Sequence, residues 1–334
     1  MTAPPDVSGS AAEADPEAAL AGMPAKAIQG RSLGQIAWLR LKRDKVAMAA
    51  GVFVVLLVLM AVAGLLLDRV FDVVHPNTFH EDLVDTEFGT LAPKGAFGGM
   101  SADHIFGVEP KNGRDIAARV LSGAWISLLI AFLATLLSVF IGTVMGVTAG
   151  YFGGWVDTLI SRAMDVFLAF PLLVFAIAMV GVLPDELFGL QGEALRIALL
   201  IFVIGFFNWP YAGRIVRGQT LSLREREFVD AARSLGARGP YILFRELLPN
   251  LVAPILVYST LLIPTNILFE SALSFLGVGI NAPTATWGGM LSEAAAYYTI
   301  PHFMLWPGLA IFVTVLAFNL FGDGLRDALD PRAR

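Results

Sequence analysis

The chain has 334 residues, a net charge of −5, 56% hydrophobic against 15% charged residues, and no cysteine. Water-soluble domains rarely reach that balance, so the bilayer is the expected solvent. The absence of cysteine excludes disulfides, thiolate metal sites and a thiol nucleophile.

In chain order, the first 30 residues are rich in Ala, Pro and acidic groups and lack the apolar core of a cleavable signal peptide. They read as a disordered cytoplasmic tail. Arg40, Lys42, Arg43 and Lys45 close this 1–45 segment as a basic collar, expected to set topology and touch anionic lipid. A membrane-crossing helix needs roughly 20 apolar residues. Six stretches approach that length: Val46 to Leu67, Ala124 to Ala149, Val166 to Leu183, Ile197 to Ala212, Leu251 to Phe269 and Phe303 to Leu320. With both termini cytoplasmic, the inner segments hold 17 of the 23 Lys and Arg, as the positive-inside rule requires. The six outer ones are Arg69, Lys94, Lys111, Arg114, Arg119 and Arg196.

The external loop 68–123 contains His75, His80, Glu81, Asp82, Asp85 and Glu87. Their spacing fits no metal-ligand pattern, and HEDLV lacks the second His of HExxH. The expectation is a solvated acidic loop with no metal assigned. In the second span Gly142, Gly146 and Gly150 stack at four-residue intervals, a spacing that lets another backbone approach closely. The fifth span places Ser259, Asn266 and Glu270 on one face. They are candidates for lining a translocation path or gate, with hydrogen bonding between helices as the alternative. The external segment 271–302 lacks Lys and Arg and is too polar to span. It predicts short interfacial helices with Trp287, Tyr297 and Tyr298 at headgroup level.

The longest cytoplasmic excursion is 213–250. Leu223 to Leu235 predicts a helix with Phe228, Ala231, Ala232 and Leu235 as its apolar stripe, ended by Gly236. A second short helix is expected from Pro240 to Leu247, with Pro249 breaking it. A helix–turn–helix lying across a bundle with a charged face outward has the shape of a docking element.

Asp230 to Gly236, DAARSLG, followed by nine residues and then Glu246-Leu247-Leu248-Pro249, resembles the EAA loop of ABC importer permeases: Glu-Ala-Ala, three residues, Gly, nine residues, Ile, one residue, Leu-Pro. Asp230 stands where Glu is usual and Glu246 where Ile is usual. FGVEPKNGRDIAARVLSGAWISLLI from Phe106 is similar to the segment before the second span of oligopeptide, dipeptide and nickel permeases, with Val108-Glu109 in place of the usual Thr-Asp. GYFGGWVDTLISRAMDVFLAFP from Gly150, SFLGVG from Ser274 and NLFGDGLRDALDPR from Asn319 extend the resemblance over most of the chain beyond about residue 30.

The resemblance implies an all-α polytopic membrane protein with the type I ABC importer transmembrane fold, of the second permease type, in a prokaryotic cytoplasmic (inner) membrane. Its core is 124–320, and 321–334 is a cytoplasmic tail. It implies that Arg226, Glu227, Phe228, Asp230, Ala231, Ala232, Leu235, Gly236 and Pro249 form the coupling surface for an ATPase. The implied partners are a second homologous permease, two ABC ATPase subunits and an extracytoplasmic substrate-binding protein, with membrane lipid around them and no nucleic acid. Peptide is the implied cargo, with nickel or another small solute as the alternative. From the residues themselves, none of Lys26, Lys42, Lys45, Lys94 or Lys111 precedes Ser or Thr, so the chain has no Walker A. ATP and Mg are therefore expected to be used by partner subunits, with no cofactor bound by this chain and no catalytic residue in it. An ion-driven transporter would call for paired ionisable groups near the midplane, where Glu270 alone stands near one end. An intramembrane enzyme would need a catalytic set, yet His302 is the one histidine beside a span.

Overall fold

The computed structural model describes residues 33–71, 75–85, 91–182, 186–280 and 282–330. The expected disordered tail before residue 33, Glu87 and the last four residues lie outside these. The elements are α1 Leu33–Leu41, α2 Lys45–Arg69, α3 Ile116–Phe152, α4 Gly154–Ala169, α5 Leu172–Val182, a two-strand hairpin of β1 Glu186–Leu187 and β2 Leu190–Gln191, α6 Gly192–Arg224, α7 Glu227–Ser234, α8 Gly239–Tyr241, α9 Leu248–Phe275, α10 Trp287–Ala295 and α11 Pro301–Leu329.

Five of the expected spans are long helices, carried by α2, α3, α6, the continuous run Gly239–Phe275, and α11. The third is a bent pair, α4 and α5, meeting at 76°. Pro171 stands at that break: it has no N–H to donate, and the residue before it is pushed out of the helical region. Phe170 is accordingly extended, with φ −78° and ψ 127°. The apolar run was legible in the sequence, but its bend was not.

The first and last described helices are tied together on the cytoplasmic side. Asp44 caps α2 by accepting hydrogen bonds from the Val46 and Ala47 amides at 2.9 and 3.0 Å. Leu41, Ala47 and Ala328 form a small core with Met48, Phe321 and Leu325. Arg40 donates to the Asp330 carbonyl at 2.7 Å, so one residue of the basic collar clamps the end of α11. The expected 321–334 tail is helical as far as Leu329, because this packing continues the last span.

The α3–α6 pair is the backbone of the bundle. A Cβ added at Gly142, Gly146 or Gly150 would come within 2.6 Å of Ala212 Cβ, the Gly213 carbonyl oxygen and Thr220 Cβ respectively. The glycine stripe thus seats α6 of the same chain. A core of Leu57, Ile116, Val120, Ile267, Trp287 and Phe303 joins α2, α3, α9, α10 and α11.

Two external expectations are corrected. Trp287 is fully buried rather than at headgroup level: its Nε1 donates to the Val120 carbonyl at 3.0 Å. Gly123 and Gly288 allow this, since a Cβ on Gly288 would lie 2.5 Å from the Ser271 carbonyl oxygen and one on Gly123 3.3 Å from Thr286 Cα. A tryptophan with a satisfied N–H is stable in such a core. The loop 68–123 is likewise no solvated acidic loop in its second half. Glu109, Arg114 and Arg119 are buried, and the segment forms a cap against α10 and α11.

Candidate coupling surface and polar seam

The cytoplasmic excursion differs in detail from the sequence expectation. The long helix α6 runs through Arg224, and a separate short helix, α7, begins at Glu227. Arg224 turns back to donate to the Gly150 carbonyl at 2.9 Å, which fixes the break. Val229 and Ala232 face inward onto Ile242 and Leu247. Phe228, Ala231 and Leu235 face outward, Leu235 with 89% exposure. The expected stripe is therefore split: Val229 takes the inward place beside Ala232, and the other three stripe residues are exposed.

Gly236 ends α7 with φ +83°. Its amide donates to the Arg233 carbonyl at 2.9 Å, and the Ala237 amide to the Ala232 carbonyl at 3.0 Å. This is the Schellman arrangement, in which a left-handed residue satisfies the last carbonyls of a helix. Nothing lies within 4 Å of a Cβ added there, so glycine is required by backbone conformation and not by crowding. An open groove of about 670 Å³ lies beside the turn, lined by Phe228, Ala231, Leu235, Gly236, Tyr241 and Glu246. Asp230 pairs with Arg233 at 3.3 Å on the exposed surface, while Arg226 and Glu227 are exposed at the helix start.

Pro249 does not break the second helix. A π-helical turn, Ile242–Leu247, joins α8 to α9, and Pro249 follows it as the second residue of α9. The wider i→i+5 turn accommodates the extra residue that an α-helix entering a proline could not. Gly239 through Phe275 is one continuous helical rod.

Two acidic groups of α4 hold that helix to α6. Asp157 receives both Nε and Nη2 of Arg217, the latter at 2.7 Å, and Asp165 receives Arg214 at 2.6 Å. Such bidentate pairing is the strong form of the Arg–carboxylate bond.

The three polar residues of the fifth span go to different places. Ser259 bonds back to the Ile255 carbonyl at 2.7 Å within its own helix. Asn266 is fully buried and links three helices: Asn208 of α6 donates to it at 3.1 Å, and it donates to Thr135 of α3 at 2.8 Å. Glu270 is fully buried, accepting from Ser274 at 2.8 Å. Sequence reasoning placed the three on one face but could not see Asn208 and Thr135 arriving opposite Asn266.

Outside the spans, Glu109 lies between two guanidinium groups, with Arg114 Nε and Arg119 Nε each 2.5 Å from its oxygens. Burial pushes its carboxyl above the usual carboxylate value, and Arg119 and Arg114 oppose that shift. Arg114 also reaches Glu293 of α10 at 2.7 Å.

The molecule is a polytopic helical bundle with a glycine-capped helix exposed on its cytoplasmic side. Its fold matches a chain from the MetNI methionine ABC transporter in inward-facing conformations, with TM-score 0.52 and 17% identity over 64% of this chain and 98% of that one. The family described as "binding-protein-dependent transport system inner membrane component" matches residues 139–334, and the N-terminal transmembrane domain of oligopeptide transport permease C matches residues 32–75. The chain belongs to this permease family. It is 42% identical over 320 residues to the glutathione transport system permease protein GsiD of Escherichia coli O6:K15:H31, spanning 95% of this chain and 97% of that protein. It is 41% identical over 276 residues to the dipeptide transport system permease protein DppC of Alkalihalophilus pseudofirmus, spanning 82% and 86%.

Proposed function

We propose that this permease forms half of a translocation path for short peptides and is driven through α7 by an ATPase subunit. The cargo class is supported by the dipeptide and glutathione systems in which its relatives are named. The observation that carries the coupling role is the outward apolar face of Phe228, Ala231 and Leu235 beside the Gly236 turn, which the bundle leaves uncovered. Exposed apolar groups around a groove fit an aromatic or aliphatic anchor from a partner.

The mechanical consequence follows from continuity. The rod Gly239–Phe275 has 37 residues, about 55 Å at 1.5 Å per residue. It starts at the coupling turn and carries Asn266 and Glu270 at its far end. A displacement imposed at α7 by closure of an ATPase dimer is transmitted along it as a rigid body, the basis of alternating access. In the same reading, a second permease completes the path, two ATPase subunits bind and hydrolyse ATP with Mg, and a substrate-binding protein delivers cargo from outside. Asn266 fastens α9 to α3 and α6, while Glu270, which accepts from Ser274 of its own helix, and Ser259, which bonds back to Ile255, are the remaining path candidates.

The test is a pull-down of the tagged chain in mild detergent, followed by transport in vesicles. Recovery of an ATPase that is lost when Asp230 to Gly236 is scrambled supports the assignment. Recovery of the folded chain alone, still transporting, would sink it and favour an ion-driven mechanism.

A further inference from the structure

The external cap has an uncovered apolar face. Segment 97–98 runs against 107–108, with the Val108 amide donating to the Gly98 carbonyl at 2.9 Å. Gly98 lies flat on the His302 ring at the start of α11, leaving no room for a Cβ. Phe106 stacks on Trp306, ring centroids 4.0 Å apart and planes 9° from parallel. Trp306 is five residues into α11, about 7 Å along its axis at 1.5 Å per residue. The cap therefore hangs down beside the outer end of a membrane span and does not stand above it.

On this hanging edge Phe97 is 80% exposed and Ile105 62%, with Met100 also exposed. Phe97 is held at φ +48° between Gly95, Gly98 and Gly99, all at positive φ. A bulky residue in that region is strained, and such strain persists only where the surroundings enforce it. Here the glycine turn and its seat on His302 enforce it, and the result is a phenyl ring pointing out of the protein. The helix it rests on, α11, itself exposes apolar side chains along the span at Leu305, Leu309, Phe312 and Leu316. Charged groups lie at its edges: Lys94, which donates to the Asp82 carbonyl at 3.1 Å, and exposed Asp103.

We propose that this edge of the cap is a membrane-seated element, with Phe97, Met100 and Ile105 inserted into the outer-leaflet interface of the lipid bilayer. The occupant follows from the seat of the cap on the outer end of α11, an apolar membrane span, and from the depth set by the Phe106–Trp306 stack. Aromatic and apolar side chains at that level partition into the headgroup and upper acyl zone, while Lys94 and Asp103 stay in water. The inference needs only the outer placement of the 68–123 segment and is independent of the cargo.

The chain contains no cysteine, so single substitutions give unique labels. Phe97→Cys, Met100→Cys, Ile105→Cys and, as the aqueous reference, Asp103→Cys are each nitroxide-labelled in the full-length chain. Each is reconstituted with its co-purified subunits in phosphatidylethanolamine–phosphatidylglycerol vesicles. Collision with oxygen, which concentrates in lipid, is compared with collision with a water-soluble nickel chelate. The expected result is a severalfold higher oxygen-to-nickel ratio at 97, 100 and 105 than at 103. Equal nickel access at all four positions overturns the proposal. Shielding of 97, 100 and 105 from both reagents also overturns it and identifies the patch as a protein-docking surface. Met100 and Ile105 have ordinary backbone conformations, so the test stands even if Phe97→Cys fails to fold.

Discussion

At the scale of single residues, exposure separates folding from coupling. Leu235 is almost entirely solvent-exposed and touches no buried core, so Leu235→Asp leaves the bundle intact. A carboxylate placed in an apolar contact is costly, and loss of an interface anchor is worth about 2 kcal/mol or more. Uptake in reconstituted vesicles should fall at least about tenfold, at 1.4 kcal/mol per decade, with thermal unfolding of the isolated chain unchanged; a variant that transports normally would remove α7 from the coupling machinery. Gly236→Ala is milder, costing about 1 kcal/mol for a non-glycine residue at positive φ. Asn266→Leu separates the two readings of the fifth span. It strips partners from Asn208 and Thr135 and should destabilise the chain by about 1 kcal/mol, seen as a lower melting temperature in detergent. Uptake per folded molecule should hold if the residue only fastens helices, and changed cargo preference at constant stability would instead put it in the path.

At the scale of elements, α3 against α6 and the rod from α8 into α9 are the decisive pieces. Gly146→Leu drives a side chain into the Gly213 carbonyl, 2.6 Å from the first added carbon. With no freedom for a backbone to yield cheaply, overpacking costs about 1–3 kcal/mol or more, and the yield of monodisperse protein in detergent should drop. Inserting one residue into α9 just after the π turn Ile242–Leu247 is subtler. It rotates the rest of α9 by about 100° relative to α7, one residue of a 3.6-residue repeat. Uncoupled ATPase activity with little uptake is the expected phenotype, and wild-type coupling would show that the rod is not the transmission element.

For the whole molecule, the outer cap and the transmembrane bundle are held together by charge buried at their junction. Arg119 meets Glu109, Asn77 and the Pro283 carbonyl from three separate segments. Arg119→Met leaves Glu109 buried with one cationic partner, and breaking a buried pair costs about 3–5 kcal/mol. Faster proteolysis within 75–115 on intact vesicles, with the bundle itself uncut, is the expected signature. Unchanged protection would mean that the Phe106–Trp306 stack and the His302 seat suffice.

Much of this protein is written in its sequence because bilayer physics is local. A run of apolar residues must become a helix wherever lipid can satisfy no backbone group, and the distribution of Lys and Arg orients it. The glycine that ends α7 was legible for the same reason: its role depends on its own φ and on two neighbouring carbonyls. What the sequence could not supply depends on groups far apart in the chain. Trp287 looked interfacial until Gly123 and Gly288 brought two backbones close enough to bury it. Asn266 could be read as lining a path or as fastening helices, because Asn208 and Thr135, which meet it, lie far away in the chain on other helices. In the loop beyond α2 the acidic residues Glu81 and Asp82 are exposed, as their composition suggests, but Glu109 is buried by two arginines that fold back on it. Hydropathy and capping are one-body properties of a segment and can be read in order along the chain, whereas burial of a polar group is settled by whichever partner tertiary packing delivers to it.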